Sequence, residues 1–291
     1  MKKLAASLLL LGGFPWLFAQ VVPSPGLLNR RYQEGETMVY RMKNINNGRR
    51  SEIQATGVVK RDSRGQYLEE YAWSNRTLDG APFNLPPKSM QFRQILSLDP
   101  GMPSPIPNLS EVHPTLIGPI TDFLTFYADL WLATRSGKLK AAGDHLYHEH
   151  ATPASWADGN RVVLGETSID FDITLTGVDQ AGKIATLLVK HVPPKRPEVR
   201  LPAAWMNEAV ADTPNNWVQV SKSDGKYTAM VGKETFDVQL KVSLVDGKIL
   251  SGTLENQVKT RVRDCLDAAL MSCGDPRPRE ILRQVDISLV P

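Results

Sequence analysis

The sequence predicts a mainly β protein: a large curved antiparallel sheet or open barrel of about ten or eleven strands, packed around one long apolar helix at about 119–135. Three observations carry this. Apolar residues alternate with polar ones through most of the chain, the rhythm of strands with one buried and one wet face. Turn residues such as Asn-Gly and Asp-Gly punctuate the alternating runs. In one segment the apolar spacing shifts to the i, i+3, i+4, i+7 pattern of a helix.

The chain opens with Met1, Lys2 and Lys3, then an apolar run from Leu4 to Phe18, then Ala19. A short basic start, an apolar stretch and a small residue read as a secretory signal peptide over 1–19, cleaved after Ala19. Export to a periplasm or outside the cell is therefore expected. Removing the first 19 of 291 residues leaves 272, and the formal charge falls from +3 to +1 as Lys2 and Lys3 depart. A near-neutral protein offers no electrostatic footprint for nucleic acid. No later stretch has the length and apolarity of a membrane span. Residues 20–35 read as an N-terminal extension, and 36–291 as a single β-rich domain.

Glu36–Asn46 is the first strand, and Asn46-Asn47-Gly48 turns it into Arg49–Arg61. Gln66–Arg76 and Lys88–Leu98 are the third and fourth. Six prolines between Pro100 and Pro119 mark an extended connection, since proline neither donates a ladder hydrogen bond nor continues a helix. Ile120, Phe123, Leu124, Tyr127, Leu130 and Trp131 then follow the helical spacing. Ile169, Phe171, Ile173 and Leu175 alternate with polar residues. Lys183–His191 follows, and Pro193–Pro202 forms a second proline-rich connection. Trp217–Lys222 and Lys226–Val231 flank the turn Ser223-Asp224-Gly225. Phe236–Leu244 and Ile249–Val262 flank Asp246-Gly247. A short helix is expected near Leu266–Leu270, and Ile281–Val290 is the final strand. Arg283 falls on the apolar side of that strand, so it must snorkel, pair or mark a lumen. The layout resembles the half-barrels of periplasmic lipoprotein carriers; this resemblance is one of element order and carries no functional residue across.

Cys265 and Cys273 are the two cysteines. In an oxidising compartment they are expected to form a disulfide, with the chain turning back between them. Phe123, Phe126, Tyr127 and Trp131 are candidates to line a cavity for an apolar ligand or lipid, although helix-on-sheet packing accounts for the same residues. Asp144, His148 and His150 are candidate metal ligands, because His-x-His on a strand places two imidazoles on one side with a carboxylate further along. No cofactor is otherwise expected; a single transition metal such as zinc is the alternative. Asp170 and Asp172 share a strand face in the manner of a solvated edge. Lys259, Arg261 and Arg263 alternate onto one strand face near Arg277 and Arg279, a basic patch suited to lipid headgroups or to guarding a strand end. A Gly-x-Ser-x-Gly elbow, a phosphate loop and a dinucleotide fingerprint are all absent from the sequence. Three functions follow, the first leading: an exported non-catalytic β-scaffold for an apolar ligand or lipid in the cell envelope, a metal-dependent hydrolase using His148 and His150, and an envelope protein pairing through an exposed strand edge.

Overall fold

The computed structural model describes residues 26–109, 112–149, 153–156 and 162–291. The expected signal peptide and candidate ligand His150 lie outside the described residues. Fourteen strands form one antiparallel sheet. They are β1 (Thr37–Asn46), β2 (Arg49–Arg61), β3 (Tyr67–Leu78), β4 (Ala81–Pro82), β5 (Arg93–Leu96), β6 (His145–His148) and β7 (Ala154–Trp156). Then come β8 (Val162–Thr167), β9 (Asp170–Asp179), β10 (Ile184–Val192), β11 (Trp217–Ser223), β12 (Lys226–Ser243), β13 (Ile249–Cys265) and β14 (Arg277–Leu289). The main order is β4-β3-β2-β1-β14-β13-β12-β10-β9-β6, and the sheet is not closed. β13 pairs along one edge of β12, and two strands share the other: its first half pairs with β11, which carries β8 and β7, and its second half with β10.

The tight turns follow from their residues. Asn47 and Gly48 sit at φ 47° and 84°, and Asp224 and Gly225 at 50° and 77°. Two consecutive positive φ values are what a two-residue hairpin turn needs, and Asn, Asp and Gly reach them most readily.

The long helix α2 (Pro114–Arg135) follows the one-turn α1 (Pro87–Gln91). It begins earlier than the expected 119, inside the proline-rich stretch. Pro114 takes the first turn, where its missing N–H is harmless, and His113 caps the start by accepting from the Thr115 N–H at 3.3 Å. Pro119 lies within the helix and cannot donate to the Thr115 carbonyl four residues back. The Arg76 guanidinium on β3 donates to that carbonyl instead. A partner from the sheet thus replaces the lost bond, which local sequence could not reveal.

Three other expectations are corrected. The fourth strand, Lys88–Leu98, is α1 followed by the short β5. The segments 226–231 and 236–244 are one continuous strand, β12. Leu266–Leu270 is a turn, not a helix. Asp267 accepts from the Met271 and Ser272 N–H groups at 3.1 and 2.6 Å, and Leu270 adopts φ 57°.

One face of the sheet, here the inner face, carries α2. Leu116, Ile120, Phe123, Phe126 and Leu130 are wholly buried there among Tyr40, Ile53, Tyr71, Trp73, Leu187, Leu240 and Val285. Each such side chain contributes about 1.5–3 kcal/mol by leaving water. Phe126 approaches the sheet at Gly252, where an added Cβ would stand 2.9 Å from its ring. The described part of the N-terminal extension joins this core. Leu28 is buried, and Arg30 pairs with Glu69 at 2.9 Å and Glu36 at 2.5 Å. Glu69 also accepts from the hydroxyls of Tyr71 (3.0 Å) and Tyr127 (2.5 Å). Burial, with the Glu69 carboxylate next, holds both phenols well above their ordinary pKa.

The outer face has a smaller core of Val218, Val220, Ala229 and Val231 beneath Ala203, Met206 and Leu270. The expected Cys265–Cys273 disulfide is present, with Cα atoms 4.0 Å apart. It turns Leu270 onto this core, and the Trp205 indole donates to the Leu270 carbonyl at 3.0 Å.

Candidate functional site

Strand register brings six residues to one level across the inner face. His148 on β6 stands opposite Phe171 on β9, which stands opposite His191 on β10. His191 faces Phe236 on β12, Phe236 faces Asn256 on β13, and Asn256 faces Arg283 on β14. Five steps between neighbouring strands make a row about 24 Å long. The rings touch in sequence: His148–Phe171 at 6.2 Å between centroids, Phe171–His191 at 4.7 Å and His191–Phe236 at 4.9 Å. The Arg283 guanidinium lies 5.8 Å from the Phe236 centroid.

Helix α2 runs along this row and anchors it at two points. Asp122 and Asp129 are two turns apart and so share a helix face. Asp129 lies 2.8 and 3.0 Å from His191 Nε2, and Asp122 lies 3.2 Å from an Arg283 Nη1. One level further out on β12, the Glu234 carboxyl accepts from Asn256 at 3.2 Å and from the Thr167 hydroxyl at 3.1 Å. Burial raises the pKa of all three acids. Arg283 opposes the rise at Asp122, His191 opposes it at Asp129, and Arg283, Asn256, Thr167 and His191 oppose it at Glu234.

Exposure divides the site into a sealed layer and an accessible one. Asp122, Asp129, His191, Glu234 and Asn256 are buried. His148, Phe171, Phe236 and Arg283 are half-buried. The Nε of Arg283 has no hydrogen-bond partner. The partly exposed layer therefore holds an imidazole, phenyl rings and a guanidinium whose unpartnered Nε is itself buried. Such a set can hold a ligand with an apolar body and a polar end.

The predicted site residues fall differently. Phe123, Phe126 and Tyr127 are sealed in the core at 0, 0 and 1 % exposure. Trp131 is half-buried, with its indole donating to the Asp99 carbonyl at 2.8 Å. The Asp144 carboxylate accepts from the Lys140 and Ala141 N–H groups at 2.6 and 2.8 Å, which hold its pKa low. His148 belongs to the row, where Phe171 separates its imidazole from that of His191. Among the described residues, no three His, Cys, Asp or Glu side chains come together as a metal would need. On the outer face Asp172 pairs with His145 at 2.7 Å, and Asp170 accepts from the Tyr147 hydroxyl at 2.6 Å. That bond, ahead of burial, pushes the Tyr147 pKa up to about 12. The basic set is divided: Lys259, Arg261 and Arg263 share the outer face, while Arg279 reaches Met230 on the inner one.

Comparison with protein-family models, curated proteins and solved structures gives no match. What the site can do must therefore be argued from its own chemistry. Its members were visible singly as breaches of pattern, Asp122 and Asp129 in an apolar helix and Arg283 in an apolar stripe. The register that joins them was not.

Proposed function

We propose that the protein is an exported, non-catalytic binding scaffold of the cell envelope, whose curved sheet takes an apolar or amphipathic ligand such as a lipid along the row from His148 to Arg283. One observation carries the reading. Phe236 stays half-buried rather than sealed, on a face whose neighbouring positions α2 covers, with the Arg283 guanidinium 5.8 Å from its ring centroid. A partly exposed aromatic ring beside a charged group is a common element of small-molecule sites. The ligand site thus moves from the Phe123–Trp131 surface of the helix to the strands alongside it.

Native mass spectrometry of protein purified without chelator, repeated after denaturation, tests this. Extra mass of a few hundred daltons, lost on denaturation and reduced in a Phe171→Ala/Phe236→Ala variant, is the expected result. A bare polypeptide with no saturable uptake of fatty acids, lipids or apolar dyes refutes the reading. Extra mass of a single metal ion would instead favour the hydrolase alternative through His148 and His150.

A further inference from the structure

The connection 193–216 between β10 and β11 passes over the outer face. Ala203 and Met206 in its middle, with Leu270, seal Val218, Val220, Ala229 and Val231 from water. Among the described residues this small core has no member in common with the inner core around α2. The two faces can therefore loosen separately. Ties from elsewhere in the chain hold the connection down. Arg200 pairs with the buried Glu166 at 2.5 Å, and Glu208 pairs with Arg261 at 2.8 Å. The Glu208 side chain is exposed, so its pair contributes little. Between these two, the Trp205 indole donates to the Leu270 carbonyl at 3.0 Å, and the Arg263 guanidinium lies 4.9 Å from the Trp205 ring.

The middle of the connection thus rests on Leu270, and Leu270 rests on the disulfide. Leu270 is buried at φ 57°, inside the loop that Cys265 and Cys273 close. The other ties of that loop lie at the surface. Asp267 accepts from the Met271 and Ser272 N–H groups, and Arg277 pairs with Asp264. The Leu266 N–H donates to the Ser272 carbonyl and the Gly274 N–H to the Asp264 carbonyl, both at 2.9 Å. Water competes for all of these. The two sulfurs differ in access: Cys265 is sealed at 1 % exposure, and Cys273 is half-buried. An incoming thiolate therefore meets the Cys273 Sγ first. The S–S bond breaks, and its electron pair leaves on the Cys265 Sγ, which takes up a proton. The second thiolate of a dithiol reductant then displaces the Cys273 thiolate, which is protonated in turn. The protein gains two thiols and the reductant becomes a disulfide.

We propose that the Cys265–Cys273 disulfide is a redox latch on the outer face. Reduced by a dithiol through Cys273, it lets Leu270 and the segment 201–208 lift from β11 and β12 while the inner core stays closed. Such a latch is independent of ligand binding at the row.

The test is hydrogen exchange read by mass spectrometry on the native protein before and after dithiothreitol. Exchange in 201–208 and 266–272 should quicken about tenfold or more on reduction, with exchange in α2 unchanged. Reduced glutathione in place of dithiothreitol should leave its adduct on Cys273. Cys265→Ala/Cys273→Ala should exchange like the reduced protein. Should that variant fail to fold, Trp205→Phe carries the same test. It removes the indole donor and keeps the disulfide, so 201–208 should exchange faster in the oxidised protein and gain less on reduction. Exchange in 201–208 unchanged by reduction, an equal rise in α2, a first glutathione adduct on Cys265, or a disulfide that dithiothreitol reduces only in urea overturns the proposal.

Discussion

Phe123→Ala separates a packed core from a ligand-lined space. Phe123 has no exposed surface and meets four aromatic rings: Tyr71 at 4.9 Å, Tyr127 at 5.1 Å, Tyr40 at 5.2 Å and Trp73 at 5.7 Å. Truncating a buried phenylalanine costs about 3–5 kcal/mol, and edge-to-face contacts add about 0.5–1.5 kcal/mol each beyond burial. The neighbours are poorly free to collapse into the gap. Tyr40 donates to the Ile249 carbonyl at 2.8 Å, and the Tyr71 and Tyr127 hydroxyls are 2.6 Å apart. The loss should therefore lie near the top of the range, about 5 kcal/mol. Urea unfolding followed by tryptophan fluorescence would show the midpoint falling by roughly 1.5 M, taking a slope of about 3 kcal/mol per M. A loss below about 1.5 kcal/mol, or one restored by an apolar ligand, would mean that Phe123 lines a space rather than filling a core.

Three further outcomes follow from the buried groups and the close approaches. Burial makes the folded protein hold the Glu234 proton more tightly than the unfolded chain does, so its ionisation lowers stability as pH rises above the ordinary glutamate range. Glu234→Gln should match the wild-type melting temperature near pH 3.5 and gain on it toward neutral pH; a variant that loses ground as pH rises contradicts this assignment. Arg30→Ala leaves Glu69 buried and should cost about 3–5 kcal/mol in chemical denaturation, far more than a surface ion pair. At Gly232 an added Cβ would stand 1.9 Å from the Lys259 carbonyl oxygen, whereas at Gly118 nothing lies within 4 Å. Gly232→Ala should lower the melting temperature sharply, whereas Gly118→Ala should have a far smaller effect, its helix-propensity gain offset by the crowding that a Cβ meets before Pro119.

What could be read from sequence was whatever neighbours in the chain decide. Asn47-Gly48 and Asp224-Gly225 fix their turns through backbone preference alone, and the Ile169–Leu175 alternation names its buried side unaided. Where distant residues decide, the reading failed. Pro119 looked like the start of the helix rather than part of its second turn, because its remedy, Arg76, lies on a strand. Lys226–Val231 and Phe236–Leu244 read as separate strands, and Glu234 between them finds Asn256 and Thr167 only in the folded sheet. The row depends on five pairings at once, and sequence carries each residue without its register. Phe123, Phe126 and Tyr127 were rightly seen as one apolar surface. Whether such a surface meets protein or ligand depends on what faces it.

The pairing of β1 with β14 bears on how the chain acquires its shape. Tyr40 lies beside Leu289 and Asn46 beside Arg283, so residues from opposite ends of the described chain form one ladder. The β1–β2 hairpin and the β12–β13 hairpin can each assemble from local contacts, but the seam between the two halves waits for β14. Closing so long a loop spends entropy before any contact repays it, so the rate of folding should be set by that seam and fall well below that of a helical protein of equal length. A chain stopped before β14 leaves β1 and β13 facing each other with open edges, and such edges recruit other chains. Truncation there should yield aggregates rather than a smaller working protein.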